Sequence, residues 1–275
     1  EMINSGKKLK TGSLIVTRGD NKHIKNFDQT IVLIANRHHK FANSINTGFS
    51  TKGPDMGSSD VREIKNQKIA VLSGKSTSSL SYGEVQYFFE QEIKYPYTAI
   101  NTDNFSANML DEYHTLIIPN GYYSGLFSKS KLDKLTSWIK SGGKVIAIGN
   151  ANSIFENKKG FGLKSKSDKD DKDESDEDVE LIDYENLDRE SISKSITGAI
   201  FKTKIDNSHP LGFGYSDSYF TLKQGTKSYD YLEDGYNVVR LEDNTAFSGF
   251  VGSKADKYLS KSLIFGEENV GRGSV

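Results

Sequence analysis

The stretch "GGKVIAIGNAN", residues 142–152, decides how this chain is read. A glycine pair releases a helix, an apolar run climbs a strand, and small residues turn into the next element. That is the geometry of a nucleophile elbow, in which a reactive side chain stands on a strained strand-to-helix turn. Here the turn reads Gly149, Asn150, Ala151, and the chain contains no cysteine. The stretch predicts an open α/β sheet; its turn residues do not supply the expected nucleophile.

Working outward, the helix before the glycine pair, "SKLDKLTSWIKSGG", carries its apolar stripe at Leu132, Leu135, Trp138 and Ile139, with Gly142 at its C-cap. Upstream, "HTLIIPNG" (114–121) and "YTAIN" (97–101) read as strands, and "QKIAVLSG" (67–74) as a near-continuous apolar strand buried on both faces. Between them "STSSLSYGEVQYFFEQEI" leads into a helix with Val85, Phe88, Phe89 and Ile93 on one side. Strands alternating with helices predict a parallel sheet covered on both faces.

The flanks are less regular. Residues 12–21, "GSLIVTRGDN", read as a strand, and residues 27–39 as a helix that Asp28 helps to start. A Gly-, Ser-, Asp- and Pro-containing loop follows at 46–60. These first 65 residues predict a partial α/β subdomain, since chains of about this size are marginal as independent cores. Residues 66–275 form the main domain. "KSKSDKDDKDESDED" (164–178) has no apolar residue and predicts a disordered acidic insertion without calcium-loop spacing. Beyond it, "HPLGFGYSDSYFTLK", "YNVVRL" and "SLIFGEE" read as a β region that resumes the sheet.

Composition removes several function classes. Of 275 residues 27% are charged, yet the formal net charge is −1, so no overall field favours nucleic acid or an anionic membrane. Basic patches interleaved with aromatics are missing, and no apolar run approaches the roughly 18–20 residues of a membrane span. Without cysteine there are neither disulfides nor thiolate metal ligands. The five histidines show no His-Glu-x-x-His or His-x-x-Glu spacing. His38 and His39 are adjacent on a helix and point apart, and His209, before Pro210, reads as a turn histidine bonding backbone.

Three stretches meet where open α/β sheets bind ligands, at the carboxyl ends of their strands. "SGKSTSSLSYGE" (73–84) contributes Ser76 and Thr77, but serines before a helix are ordinary caps, and Ser81 with Glu84 has capping-box spacing. "SGKST" also lacks the first glycine of a phosphate loop. "PNGYYSG" (119–125) offers Asn120, the backbone N–H of Gly121 as an oxyanion donor, and Tyr122 in an aromatic run. The elbow adds Asn150. Ser76, Thr77, Asn120, Gly121, Tyr122 and Asn150 are therefore the candidate ligand crevice, with no catalytic or metal-ligating residue assigned.

The order of these features, a strand to a Pro-x-Gly loop, a helix ending Gly-Gly and a strand into the elbow, resembles a class I glutamine amidotransferase-like domain. This implies a three-layer, mostly parallel, flavodoxin-like α/β fold. "INTGFSTKGPDMGSSDVREIK" (45–65), "KIAVLSGKSTSSLSYGEVQYFFEQ" (68–91), "ESISKSITGAIFKTKIDNSHPLGFGY" (190–215) and "GFVGSKA" (249–255) more specifically resemble the C-terminal region of bacterial zinc carboxypeptidases of the carboxypeptidase-A-like family. That resemblance implies a periplasmic or secreted accessory region whose partner is the peptidase domain of the same parent, with zinc held in that domain. It departs from the family's peptidase in having no zinc-binding His-x-x-Glu pair. It departs from the amidotransferases in having Gly149 and Asn150 where the nucleophile falls. The implied function is binding or architectural; the alternatives are a hydrolase using a Ser or Asn in the crevice, or a sugar- or peptide-binding module marked by an aromatic-lined groove at Tyr122.

Overall fold

The computed structural model describes residues 2–61, 63–166 and 181–275. The chain divides into two compact units, residues 1–65 and 66–275.

In the first unit, β1 (Met2–Asn4) and β2 (Lys7–Leu9) form a hairpin. Ser5 and Gly6 close it with φ of 49° and 72°, the two positive values that match a tight turn to strand twist. Asn4, fully buried, ties this hairpin to the later loop by donating to the carbonyls of Thr47 (2.9 Å) and Phe49 (2.8 Å). The strand expected at 12–21 does not form: Leu14 and Val16 are exposed, and no neighbour among the described residues pairs with them. β-Branched residues favour a strand only where a partner supplies the ladder. α1 (Phe27–Arg37) forms as expected and buries none of its residues. Asp28 sits in its first turn, 2.8 Å from Arg18.

The second unit is built on one ten-stranded sheet. Its parallel half contains β3 (Ile69–Ser73), β4 (Thr98–Asn101), β5 (Thr115–Ile118), β6 (Lys144–Ala147) and the two-residue β12 (Gly273–Ser274). Across the sheet these run β4-β3-β5-β6-β12, each parallel to the next. Numbered by their own sequence order this is 2-1-3-4-5, the flavodoxin-like arrangement, whose topological switch point falls between β3 and β5.

Side-chain alternation explains why both faces are covered. From β3, Ala70 and Leu72 enter the core against α3 (Lys129–Lys140), with Leu135, Trp138 and Ile139. Val71 enters the opposite core, with Phe89 beyond α2 (Ser79–Tyr87). Each fully buried aliphatic or aromatic side chain contributes about 1.5–3 kcal/mol, so this alternation is what makes a three-layer unit stable. The helical stripe of α3 is as expected. That of α2 is not: a π-helical segment at Phe88–Glu92 shifts the register, so Phe89 is buried while Phe88 and Ile93 stay exposed. The glycine pair has two separate jobs. Gly142 takes φ 125° to leave α3, and a Cβ on Gly143 would lie 2.4 Å from the Trp138 ring.

The later strands complete the sheet in antiparallel fashion: β7 (Gly198–Ile205), β8 (Ser218–Lys223), β9 (Gly235–Leu241), β10 (Phe247–Phe250) and β11 (Ser262–Val270). β11 reaches the parallel half through β12. A separate core of Ile196, Ala199, Phe201, Leu241, Ala255 and Leu259 takes residues from β7 and β9, and α4 (Leu187–Ser193) buries none of its own. Of the run 164–178, residues 164–166 are tied to 228–230: Ser165 bridges Tyr229, Lys166 N donates to Ser228 O (3.1 Å) and Asp230 N to Lys164 O (3.0 Å). Backbone pairing needs no apolar side chain, so composition did not signal it. Residues 167–180 lie outside the described residues. No helix among the described residues is long and apolar enough to cross a membrane.

Candidate functional site

The six candidate residues gather at the carboxyl edge of the parallel half, on the loops after β3, β5 and β6. These are the two loops flanking the switch point and the elbow next to them. The first two loops are joined by backbone. Thr77 and Gly121 form an antiparallel bridge, Tyr122 N donates to Ser76 O (2.8 Å), and Ser78 N donates to Asn120 O (2.9 Å). Glycine at 121 permits this: an added Cβ would lie 2.2 Å from Ser76 O.

Side chains extend the connection. Ser81 does not cap α2, as its spacing predicts; the cap is Ser78, whose hydroxyl accepts from Ser81 N at 3.5 Å. Ser81, one turn inside the helix, instead accepts from Asn120 N through its own hydroxyl (3.0 Å). The Tyr123 phenol is buried, which raises its pKa, with the bond to Thr77 acting in the opposite sense. It donates to Pro119 O (2.9 Å), leaving Thr77 Oγ1 to donate to it at 3.0 Å. Nothing in the spacing of serines and aromatics distinguishes Ser81 or Tyr123 from a cap or a core residue, so their role appears only in three dimensions.

At the elbow, Gly149 takes a left-handed turn position with φ 60°, at the start of a short 3-10 helix, Gly149–Ile154. Asn120 Oδ1 accepts from Asn150 N at 2.9 Å, and a Cβ on Gly149 would lie 2.8 Å from that same oxygen. The carboxamide of Asn120 thus fills the space above the turn and takes the first N–H of the following helix.

Three polar side-chain groups remain: the Ser76 hydroxyl and the Asn150 carboxamide, both on half-buried residues, and the hydroxyl of Tyr122, which is 82% exposed. None of these three polar groups has a hydrogen bond among the described residues, and no crevice serine bonds a histidine or carboxylate. Two cavities of about 450 Å³ lie elsewhere, one at Arg18, Lys22 and the start of α1, the other beside α3 at Asp111, Asp133 and Trp138. The histidines are also elsewhere. His114 Nδ1 accepts from Lys68 N (2.9 Å), while His209 Nδ1 accepts from Leu211 N (3.3 Å) in the turn role its sequence suggests. His209 also stacks on Tyr236 and lies 3.6 Å from Glu267. Among the described residues no group of three or more His, Asp or Glu is placed to hold a metal ion.

No protein-family model and no curated protein matches the chain. Among solved structures, it is similar to a protein assigned as protease I from Bacteroides thetaiotaomicron, at 14% identity and TM-score 0.26. That match covers 32% of this chain and 66% of the other, just under two thirds of its length. It is also similar to a protein assigned as a subunit of GMP synthase from Thermoplasma acidophilum, at 11% identity and TM-score 0.40, covering 70% of this chain and 82% of that one. The strand order of the parallel half, 2-1-3-4-5, makes the fold a flavodoxin-like α/β fold.

Proposed function

We propose that this chain is a binding or architectural region whose inherited elbow is held shut by its own Asn120. The carrying observation is the 2.9 Å bond from Asn150 N to Asn120 Oδ1. In acyl-transfer sites of this shape, the N–H just after the nucleophile helps to bind the developing oxyanion at about 2.7–3.1 Å. Here a carboxamide oxygen from the chain itself takes that N–H, and the left-handed position beneath it is a glycine. The polar groups that would orient a reacting atom instead orient one another.

The exposed ring of Tyr122, with half-buried Asn150 and Ser76 on the neighbouring loops, is then a surface for contact. An exposed aromatic ring, fixed by its backbone to Ser76 and on a loop next to polar side chains that make no hydrogen bond among the described residues, suits a peptide or sugar. By its resemblance to the C-terminal region of zinc carboxypeptidases, the partner is a peptidase domain of the same parent in the periplasm or outside the cell. That domain would hold the zinc and hydrolyse C-terminal peptide bonds.

The test has two arms. Amide-proton shifts of Gly121, Tyr122 and Asn150 are followed while peptides, monosaccharides and a peptidase domain are titrated in. Binding that shifts them and is lost in Tyr122→Ala supports the reading. The second arm is hydrolysis of amide, ester and C-terminal peptide substrates. Turnover that disappears in Ser76→Ala would establish the hydrolase alternative and reject this one.

A further inference from the structure

The antiparallel half ends on a strand with a specific pattern of free groups. Among the described residues β8 pairs with β7 alone, in unbroken register from Ala199↔Lys223 to Lys204↔Ser218. Ile205 N donates to Asp217 O (2.9 Å) in that same register. Residues 217, 219, 221 and 223 therefore turn their backbone N–H and C=O groups toward β7. Ser218, Phe220 and Leu222 turn theirs to the open edge. Two contacts agree with this assignment: Lys202 N, on the far side of β7, donates to Ala246 O (3.0 Å), and the Ser218 carbonyl is met by the Ser216 hydroxyl (2.9 Å).

The same outward residues expose apolar side chains. Phe220 is 65% and Leu222 62% exposed, with Ile200 of β7 (48%) opposite Leu222 on the same face. The usual protections of an edge are missing from this strand: it has no proline, no bulge and no charge before Lys223. Of the other terminal strands, β4 is shorter and exposes only Thr98, Ala99 and Asn101, and β10 has four residues, including an exposed glycine, Gly249.

We infer that β8 is a self-pairing edge, joining two copies of this chain in an antiparallel arrangement with the two-fold axis at Phe220. One register uses all three outward residues: Phe220 opposite Phe220 of the second copy, and Ser218 opposite Leu222. It also places Asp217 opposite Lys223 and Tyr219 opposite Thr221, each twice. These are an opposite-charge pair and an aromatic–β-branched pair, both favourable across strands. Asp217 is 70% exposed at its side chain while bonding Lys204 at 3.3 Å, so it is accessible at the edge. Lys223 is half-buried and bonds the carbonyl of Lys227, so meeting Asp217 requires its ammonium to leave that carbonyl. Shifting the register by two residues either way loses outward hydrogen bonds and the charge pairing. Because the contact is isologous it closes at two copies rather than growing.

Light scattering behind size exclusion, on the full chain from low to high micromolar concentration, should show a species of twice 30.6 kDa that grows with concentration. Leu222→Pro removes only an outward N–H and should abolish that species while leaving the melting curve in place. Phe220→Lys should do the same if the proline variant is poorly folded. The chain lacks cysteine, so Phe220→Cys gives a clean register test. Directly opposed residues in a hydrogen-bonded pair have Cα atoms about 5.5 Å apart, within disulfide range. Thr221→Cys places its two copies on a diagonal about 7–8 Å apart, out of range for Cα atoms. Cross-linking of Phe220→Cys alone supports the proposal. A monomer at every concentration overturns it, as does a dimer indifferent to both edge variants or equal cross-linking at 220 and 221.

Discussion

Replacing Gly149 by alanine tests whether Asn120 closes the elbow. Two costs are expected. Gly149 has φ 60°, and a residue with a Cβ in the left-handed region loses about 1–2 kcal/mol. The new Cβ also lies 2.8 Å from Asn120 Oδ1, so the carboxamide must swing away and release Asn150 N; a hydrogen bond of this kind is worth about 0.5–1.5 kcal/mol net. Gly149→Ala should therefore lose about 2–3 kcal/mol. Asn120→Ala loses the same hydrogen bond, about 1 kcal/mol, without strain at 149. The double variant has no carboxamide to displace, so it should fall short of the sum by about 1 kcal/mol. For a domain of this size, each kcal/mol moves Tm by about 2–4 °C. Trp138 is the single tryptophan and lies in the core of residues 66–275, so its fluorescence in urea reports that unit and not residues 1–65. Gly125→Ala, with nothing within 4 Å of the new Cβ, is the neutral control. Strict additivity of Gly149→Ala and Asn120→Ala would refute the idea that one blocks the space of the other.

Gly121→Ala should be at least as costly as Gly149→Ala, because its Cβ meets Ser76 O at 2.2 Å and forces apart two backbones; overpacking of this kind costs about 1–3 kcal/mol, and amide exchange at Ser78 and Tyr122 should accelerate together. Below about pH 4.5 the antiparallel half should lose stability. Bonds from Lys254 and Lys194 hold the Glu190 carboxyl below its ordinary value of 4.5, so its contribution is present above that pH and lost as pH falls through the folded-state value. Glu190→Gln should flatten that acid limb in a urea-midpoint series. At the alkaline end, burial and then the nearby Glu156 carboxylate raise the Tyr229 phenol above its ordinary 10.0, so stability is full below pH 10 and lost as pH rises beyond it. Tyr229→Phe should flatten the alkaline limb.

Legibility in this sequence followed periodicity. The apolar run at 69–72 and the stripe of α3 made one strand that serves two cores, and one helix face, legible, because burial on both faces leaves no alternative arrangement of Ala70, Val71 and Leu72. Where stabilisation comes from pairing and not from burial, the same reasoning failed. "SLIVT" has the composition of a strand but no pairing neighbour among the described residues, while the hairpin at Met2–Leu9 is held by two positive-φ turn residues. The candidate site was legible as a place, since Ser76, Thr77, Asn120, Gly121, Tyr122 and Asn150 follow strand ends that the topology brings together. It was not legible as an arrangement. Ser81 has the spacing of a capping box, and only the crossing of two loops assigns its hydroxyl to Asn120 N.

The arrangement also answers the question raised by the elbow. Glycine takes this left-handed turn without strain, but where the turn sits depends on support from its surroundings. At Gly149 that support comes from Asn120, which bonds Ser81 through its N–H, Ser78 through its carbonyl and Asn150 through its carboxamide. One residue thus fastens the helix after β3, its own loop after β5 and the turn after β6. A reacting group at this turn would need that carboxamide's space and the N–H it binds. Freeing the N–H removes the fastening, so in this chain the geometry of the elbow and access to it are opposed.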